Sequence, residues 1–160
     1  MKNTRKKDKI IFNNEVRLTA SRDGEVIRST GWIKNLVVLA GRNLLLQALS
    51  GDYTDSLIIT HAEIGTGTTA AAAGDTATEA DAVRAQKAYV SVVDDLLVIK
   101  FFFSDSLLPD DVYNEITMWM NGSAGVGTGH IFNRLMFSDQ PYTKATGEDT
   151  TIEIRATLSA

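Results

Sequence analysis

Apolar and polar residues alternate with a period of two in several runs of this chain. Turn-forming pairs break the pattern at short intervals, and together these features restrict the chain to a sheet-built fold. The last run is the clearest: Ile152, Ile154, Ala156 and Leu158 fall on one side, with Thr151, Glu153, Arg155 and Thr157 on the other. Strand side chains point alternately to opposite faces, so the first set is read as core and the second as solvent. Between Ile10 and Thr19, Val16 and Leu18 alternate with Glu15, Arg17 and Thr19 in the same way. Asp23-Gly24 is a favoured pair for a two-residue hairpin turn, which makes Glu25 to Ile33 the return strand. Asp94-Asp95 separates Tyr89–Val93 from Leu96–Phe103 and predicts a second hairpin. Leu96 to Phe103 is apolar on both sides for most of its length. It is either a central strand or one with a face against another subunit. Leu57 to Ile64, Asn114 to Met120 and His130 to Phe137 supply further strands. In Asn114 to Met120, Ile116, Met118 and Met120 oppose Glu115, Thr117 and Trp119. Trp119 is then either an outward interface residue or one that packs against a second sheet.

One stretch carries helical spacing instead. Leu44, Leu45, Ala48 and Leu49 form an apolar stripe between Asn35 and Ser50, and Gly51 stands where a helix-ending glycine belongs. Val37-Val38 is also compatible with extended chain, and Gly41 weakens the first turn. The stripe is read as core, covering an open end or one face of the sheets. The fold expected is mainly β: an antiparallel, jelly-roll-like β-sandwich of about eight strands with one α-helix near 36–50. Residues 10–160 form a single domain behind a basic N-terminal arm, residues 1–9. At 160 residues the chain is long enough to bury a real core.

The segment His61 to Arg84, HAEIGTGTTAAAAGDTATEADAVR, joins two strands through a long connection of small residues. Its threonines and Asp75 are suited to bonding nearby backbone groups. Gly65-Thr66-Gly67-Thr68-Thr69 resembles a phosphate-binding loop only in its glycines. No Lys-Ser or Lys-Thr pair follows, and no G-x-G-x-x-G opens a helix. The glycine-rich stretch Asn121 to Gly129 also lacks a lysine and reads as a flexible hairpin tip. Ala77 to Gln86 is compatible with a helical turn or two, or with irregular loop.

The run of apolar strand, His-Ala-Glu-Ile, Gly-Thr-Gly-Thr-Thr-Ala, small residues, Gly-Asp-Thr-Ala, acidic residues and Arg resembles a recurrent segment of tailed-bacteriophage structural proteins. It is similar to small tail-fibre-like and minor virion proteins and, more loosely, to tail-collar fibre N-terminal domains. Asn35 to Leu45 resembles the helix before that loop. Val112 to Trp119 resembles their E-I-G-L-F strand, with Thr117 where glycine is usual. The resemblance implies a homo-oligomer, trimer or ring, that contacts other virion proteins of the tail and neck or the major capsid protein. It implies localisation in the virion after synthesis in the bacterial host cytoplasm.

Composition excludes some chemistry. The chain has no cysteine, which removes disulfides, thiol catalysis and cysteine-ligated zinc. Its net charge of −4 argues against bulk nucleic-acid binding, and no apolar run reaches membrane-spanning length. His61 and His130 are its only histidines. Without an H-x-x-x-H spacing they predict no metal site, although His61 and Glu63 share a strand face. Asp94-Asp95 and Asp110-Asp111 sit in turns, and no nucleophile elbow or catalytic triad is recognisable. No catalytic residue, cofactor or metal is therefore expected. The leading reading is a non-enzymatic virion structural protein of the tail-fibre or tail-adaptor type. The alternative is a capsid decoration or cement protein that stabilises the head shell. A third option is a carbohydrate-binding module with Trp119 and Tyr113 as stacking aromatics. The candidate interface comprises Gly65, Thr66, Gly67, Thr68, Thr69 and Trp119. Lys6 and Lys7 join it if the basic arm is a docking segment rather than a solvated tail.

Overall fold

The structure is a computed structural model and describes residues 11–51, 56–80, 82–137 and 140–159. Lys6, Lys7 and the rest of the basic arm lie outside the described residues. In chain order the elements are β1 (Ile11–Arg22), β2 (Glu25–Ser29), β3 (Ile33–Lys34), β4 (Leu36–Val37), α1 (Leu39–Ser50) and β5 (Ile59–Gly65). They continue as β6 (Val83–Val93), β7 (Leu96–Phe103), β8 (Val112–Tyr113), β9 (Glu115–Met120), β10 (His130–Met136), β11 (Tyr142–Thr143) and β12 (Asp149–Ser159). Of these strands β3, β4, β8 and β11 are two-residue pairings; the other eight are the longer strands on which the sheet is built.

One antiparallel sheet runs β2-β1-β12-β7-β6-β5-β9-β10-β4, with β3 also on β1; β8 and β11 pair separately. Two features curl it. β6 pairs with β5 over Val83–Gln86 and with β7 over Lys87–Val93, with a register shift between Lys87 and Tyr89. Such a bulge bends a strand and increases its twist. At the opposite seam, β3 lies on β1 and β4 on β10, with only Asn35 between them. The sheet therefore closes on itself around one core. Val16, Leu18, Ile152, Ile154, Ile99 and Phe101 from one half meet Ile64, Ile116, Met118, Phe132 and Leu135 from the other.

Local sequence explains the turns. Asp23 and Gly24 both carry positive φ, 53° and 82°, which is the twist-matched geometry of a tight hairpin. Asp94 has φ 53° at the second hairpin. The helix begins at Leu39 rather than near 36, because Leu36 and Val37 are drawn into the ladder with Arg134 and Asn133. Gly51 ends it in the left-handed region, as the sequence suggests. Leu44 and Leu45 pack against the core, but Leu49 is 86% exposed and does not complete the stripe. In β12 the alternation holds through Ala156, whereas Leu158, still paired with Phe12, is exposed. β6 starts at Val83, so the helical alternative for Ala77 to Gln86 gives way to loop followed by strand.

Candidate functional site: a loop pinned by two buried arginines

All six residues of β9 are buried. Strand alternation gives Ile116, Met118 and Met120 to the core, so the other face of β9 must have a second cover. The connection after β5 supplies it. Glu115, Thr117 and Trp119 point under that loop, and two arginines from neighbouring strands join them: Arg84 of β6 and Arg134 of β10.

Arg134 is the hub of the first cluster. Its Nε donates to Glu115 Oε2 at 2.8 Å, one terminal nitrogen donates to Asp75 at 2.8 Å, and the other donates to Glu79 and to the Thr69 carbonyl, both at 3.0 Å. The second Glu115 oxygen accepts the backbone N–H groups of Gly67, Glu79 and Ala80 at 3.1, 2.9 and 3.2 Å. Glu115 and Arg134 are both buried, at 0% and 3% exposure. An unpaired buried ion is costly, so this pair persists only because the loop satisfies the remaining valences. Glu79 in turn accepts the Thr69 N–H and hydroxyl, and Asp75 accepts the Ala72 N–H. Gly67 is glycine for a steric reason: a Cβ there would lie 2.3 Å from Glu115 Oε1 and 2.4 Å from Glu79 Cβ. The loop also serves the helix, since the Ala73 carbonyl accepts the Leu39 N–H at 2.7 Å.

The second cluster centres on Glu63. One of its oxygens accepts from Arg84 and from the Gly127 N–H, both at 2.7 Å, and the other accepts the Thr78 hydroxyl. Arg84 also donates to the Thr128 carbonyl at 2.7 Å, so the glycine-rich stretch Asn121 to Gly129 is anchored rather than a loose tip. Thr78 and Thr117 hydroxyls lie 2.6 Å apart, and the Trp119 indole N–H donates to Thr117 at 2.9 Å. The Arg84 guanidinium sits 5.3 Å from the Trp119 ring centre, a cation–π arrangement.

A third cluster joins the loop after β7 to the residue after β11. The Lys144 ammonium, fully buried, reaches Asp105 at 2.5 Å, Asp110 at 3.0 Å and the Ala145 carbonyl at 3.0 Å.

The charges follow from these contacts. Burial opposes ionisation of Asp75, but the Ala72 N–H and Arg134 outweigh it and hold the carboxyl below its ordinary range. The Thr69 hydroxyl and N–H, with Arg134, do the same for Glu79 against a smaller burial effect. Burial lowers Arg84, with Glu63 opposing; at Arg134 the hydrogen bonds to Asp75 and Glu115 overcome burial and raise it. Burial, with Arg84 nearby, lowers His61. Burial and then Asp111 and Asp110 push the Tyr113 hydroxyl up to about 12.

The candidate residues from the sequence separate on this frame. Gly65 and Gly67 are buried, Thr66 is half-buried, and Thr68 and Thr69 are exposed, with Thr69 tied to Glu79 and Arg134. Trp119 is corrected as an outward interface residue: it is 2% exposed, packed with Val38 and Ile131, with Ala40 of the helix against them. Tyr113, also 2% exposed, bonds the Pro109 carbonyl. Neither aromatic is open for stacking on a sugar. Sequence reasoning missed Glu115, Arg84, Arg134 and Lys144. For Glu115, Arg84 and Arg134 the only signal was a charged residue standing on a strand with apolar neighbours; Lys144 lies just after β11 and carried no such signal. Chemically, both buried carboxylates have their oxygens taken by fixed internal donors. The arrangement clamps a loop. Among the described residues no group of three or more His, Asp or Glu could hold a metal ion, and no helix is long and apolar enough to cross a membrane. No protein-family model, curated protein or solved structure matches the chain.

Proposed function

We propose that this chain is a non-enzymatic structural subunit of a tailed-bacteriophage virion, of the tail-fibre or tail-adaptor kind, acting through contacts with copies of itself and with neighbouring virion proteins. One observation carries the reading. The far half of β6, beyond the point where β5 leaves it, has Tyr89, Val90, Val92 and Val93 all exposed and alternating across both faces. Single exposed apolar residues are ordinary, but a contiguous two-faced group marks a contact surface. The buried charged groups support the same reading, because they are used to fix the loop rather than to meet a substrate. The sequence resemblance supplies the virion setting.

The test is to locate the protein on purified particles by cryo-electron microscopy with a tagged copy. Density on the tail or neck is the expected result. Density over the head lattice would replace the adaptor reading with the cement reading. Particles that lack the protein overturn both.

A further inference from the structure

We infer that residues 31–37 are a latch in the wall of the sheet, one that opens as a unit while the strands on either side of it stay folded.

The segment closes the sheet with few bonds. Ile33 and Lys34 pair with Val16 and Glu15 of β1, and Leu36 and Val37 pair with Arg134 and Asn133 of β10. Between the two ladders the Asn35 N–H donates to the Asn14 carbonyl at 2.9 Å. Among the described residues no other strand spans this side between β1 and β10. Two kinds of contact hold the segment shut. The Arg17 and Arg155 guanidinium groups lie over the Trp32 ring, 4.6 and 4.2 Å from its centre, and Ile33 and Val37 are partly buried against the core. Gly31 supplies a hinge at one end, with φ 73° and open space where a Cβ would stand. At the other end Val38 is fully buried with Trp119 and Ile131, and its N–H donates to the Phe132 carbonyl at 3.2 Å.

What opposes closure is polar. Alternation turns Asn35 inward between Ile33 and Val37, and the register sets it beside Asn14 of β1. Asn133 of β10 stands opposite Val37 on one side and Met118 on the other. Asn14 and Asn133 are 5% and 0% exposed, and neither side-chain amide has a hydrogen-bond partner. Asn35 Oδ1 has none either, and its Nδ2 reaches only the Met118 sulfur at 3.9 Å. A buried amide without a partner opposes the state that buries it and regains its bonds once water reaches it. Three such amides flank a segment held by two pairs of residues on each side. By contrast β1 and β12 share eleven register pairs, with Val16, Leu18, Ile152 and Ile154 buried beneath them. The latch therefore closes with a smaller gain in free energy than the strands around it, and it opens before the whole chain unfolds. Opening hydrates the three amides and frees the facing edges of β1 at Glu15–Val16 and of β10 at Asn133–Arg134.

Native-state hydrogen exchange in low urea tests this on the intact chain. After correction for intrinsic rates, the Asn35 amide should exchange at least a hundredfold faster than Ile154 of β12, through an opening that urea scarcely promotes. Equal protection of the two amides, with the same urea dependence, overturns the latch. A covalent lock identifies the opening. The chain has no cysteine, and Glu15 and Lys34 are directly opposed, so their Cα atoms lie about 4.5–5.5 Å apart, within the span of a disulfide. Oxidation of a Glu15→Cys, Lys34→Cys variant should bring Asn35 protection up to that of Ile154, and reduction should restore the gap. A gap that survives oxidation overturns the latch. Asn133→Leu and Asn14→Val each exchange an unpartnered amide for an apolar side chain and should slow Asn35 about tenfold. Ile154 should slow by the same factor, because both openings hydrate those positions. If Ile154 slows alone, the amides stay buried when Asn35 exchanges; if neither variant slows Asn35, the amides do not oppose closure. Either result overturns the inference.

Discussion

Replacing Arg134 by methionine tests whether one buried guanidinium holds the loop to the sheet. The variant keeps the alkyl length and removes four hydrogen bonds, to Glu115, Asp75, Glu79 and the Thr69 carbonyl. The four are unequal. Glu115 is fully buried, so the loss strands an ion on one of its oxygens, at a cost of about 3–5 kcal/mol. Asp75 and Glu79 are partly exposed, with side chains 19% and 36% accessible, and water replaces much of what they lose. The Thr69 carbonyl sits on an exposed residue and recovers its bond from solvent. The expected loss is therefore about 4 kcal/mol, nearly all of it from Glu115. Urea unfolding followed by tryptophan fluorescence measures it, with amide exchange at Gly67, Glu79 and Ala80 as the local readout. Glu115→Gln in the same background provides the control. Alone it turns an amide N–H toward Arg134; together with Arg134→Met that conflict disappears, so the double variant should be more stable than the sum of the singles by about 1–3 kcal/mol. A stability within about 1 kcal/mol of the parent for Arg134→Met, with those amides still protected, would refute the reasoning.

Three further outcomes follow from the same geometry. Gly41→Ala should destabilise by about 1–3 kcal/mol despite alanine's better helix propensity, because the new Cβ would lie 2.2 Å from the Phe132 carbonyl oxygen; thermal unfolding reads the sign. Acidification should weaken the fold below about pH 4, since Asp75 is held low by Ala72 and Arg134 against burial, Glu79 by Thr69, Asp105 by Lys144, and Asp110 by Thr146 and Lys144. Carboxyls lowered in the folded state contribute fully above their unfolded values and lose that contribution as pH falls through the folded ones, so Asp75→Asn should shrink the acid limb of a melting-temperature profile. Lys144 shows the opposite sign: burial lowers it, but the bonds to Asp105 and Asp110 prevail and raise it. Its contribution is complete below the ordinary lysine value and lost as pH rises through the folded one, so Lys144→Met should cost about 1–3 kcal/mol near neutrality and remove the alkaline limb.

The strands were legible because their causes are local. Val16 and Leu18 on β1, Ile152 and Ile154 on β12 and the Asp23-Gly24 turn each follow from a few adjacent residues, and each is where the pattern puts it. The second face of β9 was not legible in this way. Alternation separates Trp119 from Met118, but whether the Trp119 side meets solvent depends on a loop whose anchors lie far away in sequence: Arg134 is 65 positions from Thr69, and Gly127 is 64 from Glu63. The small residues of that loop signalled close backbone approach without naming what they approach. The β6–β7 hairpin is legible as a hairpin, yet the loss of a neighbour along the far half of β6 shows only in the ladder, where β5 leaves β6 at Gln86.

A chain that keeps Glu63, Glu115, Arg84 and Arg134 inside while Val90, Val92 and Val93 stand outside inverts the usual assignment of polar and apolar groups in both places. The inner inversion has a visible benefit: the buried ions fix two segments rich in small residues, the Ala-Gly-Thr loop over β9 through Glu115 and Arg134 and the stretch Asn121 to Gly129 through Glu63 and Arg84. The outer inversion has no benefit within one chain, because exposed valines on an unpaired edge gain nothing from folding and invite misassociation. The two are connected through β6, which carries Arg84 into the buried clamp at one end and the open edge at the other. A rigid clamp at the start of β6 holds its exposed far half in a defined direction, which is what an assembly contact requires and a freely moving arm would not provide. Loosening the clamp by Arg84→Met should therefore weaken self-association through the hairpin even though Arg84 lies outside the exposed segment. Unchanged association in a folded Arg84→Met variant would separate the clamp from the edge and leave the buried ions a purely local role.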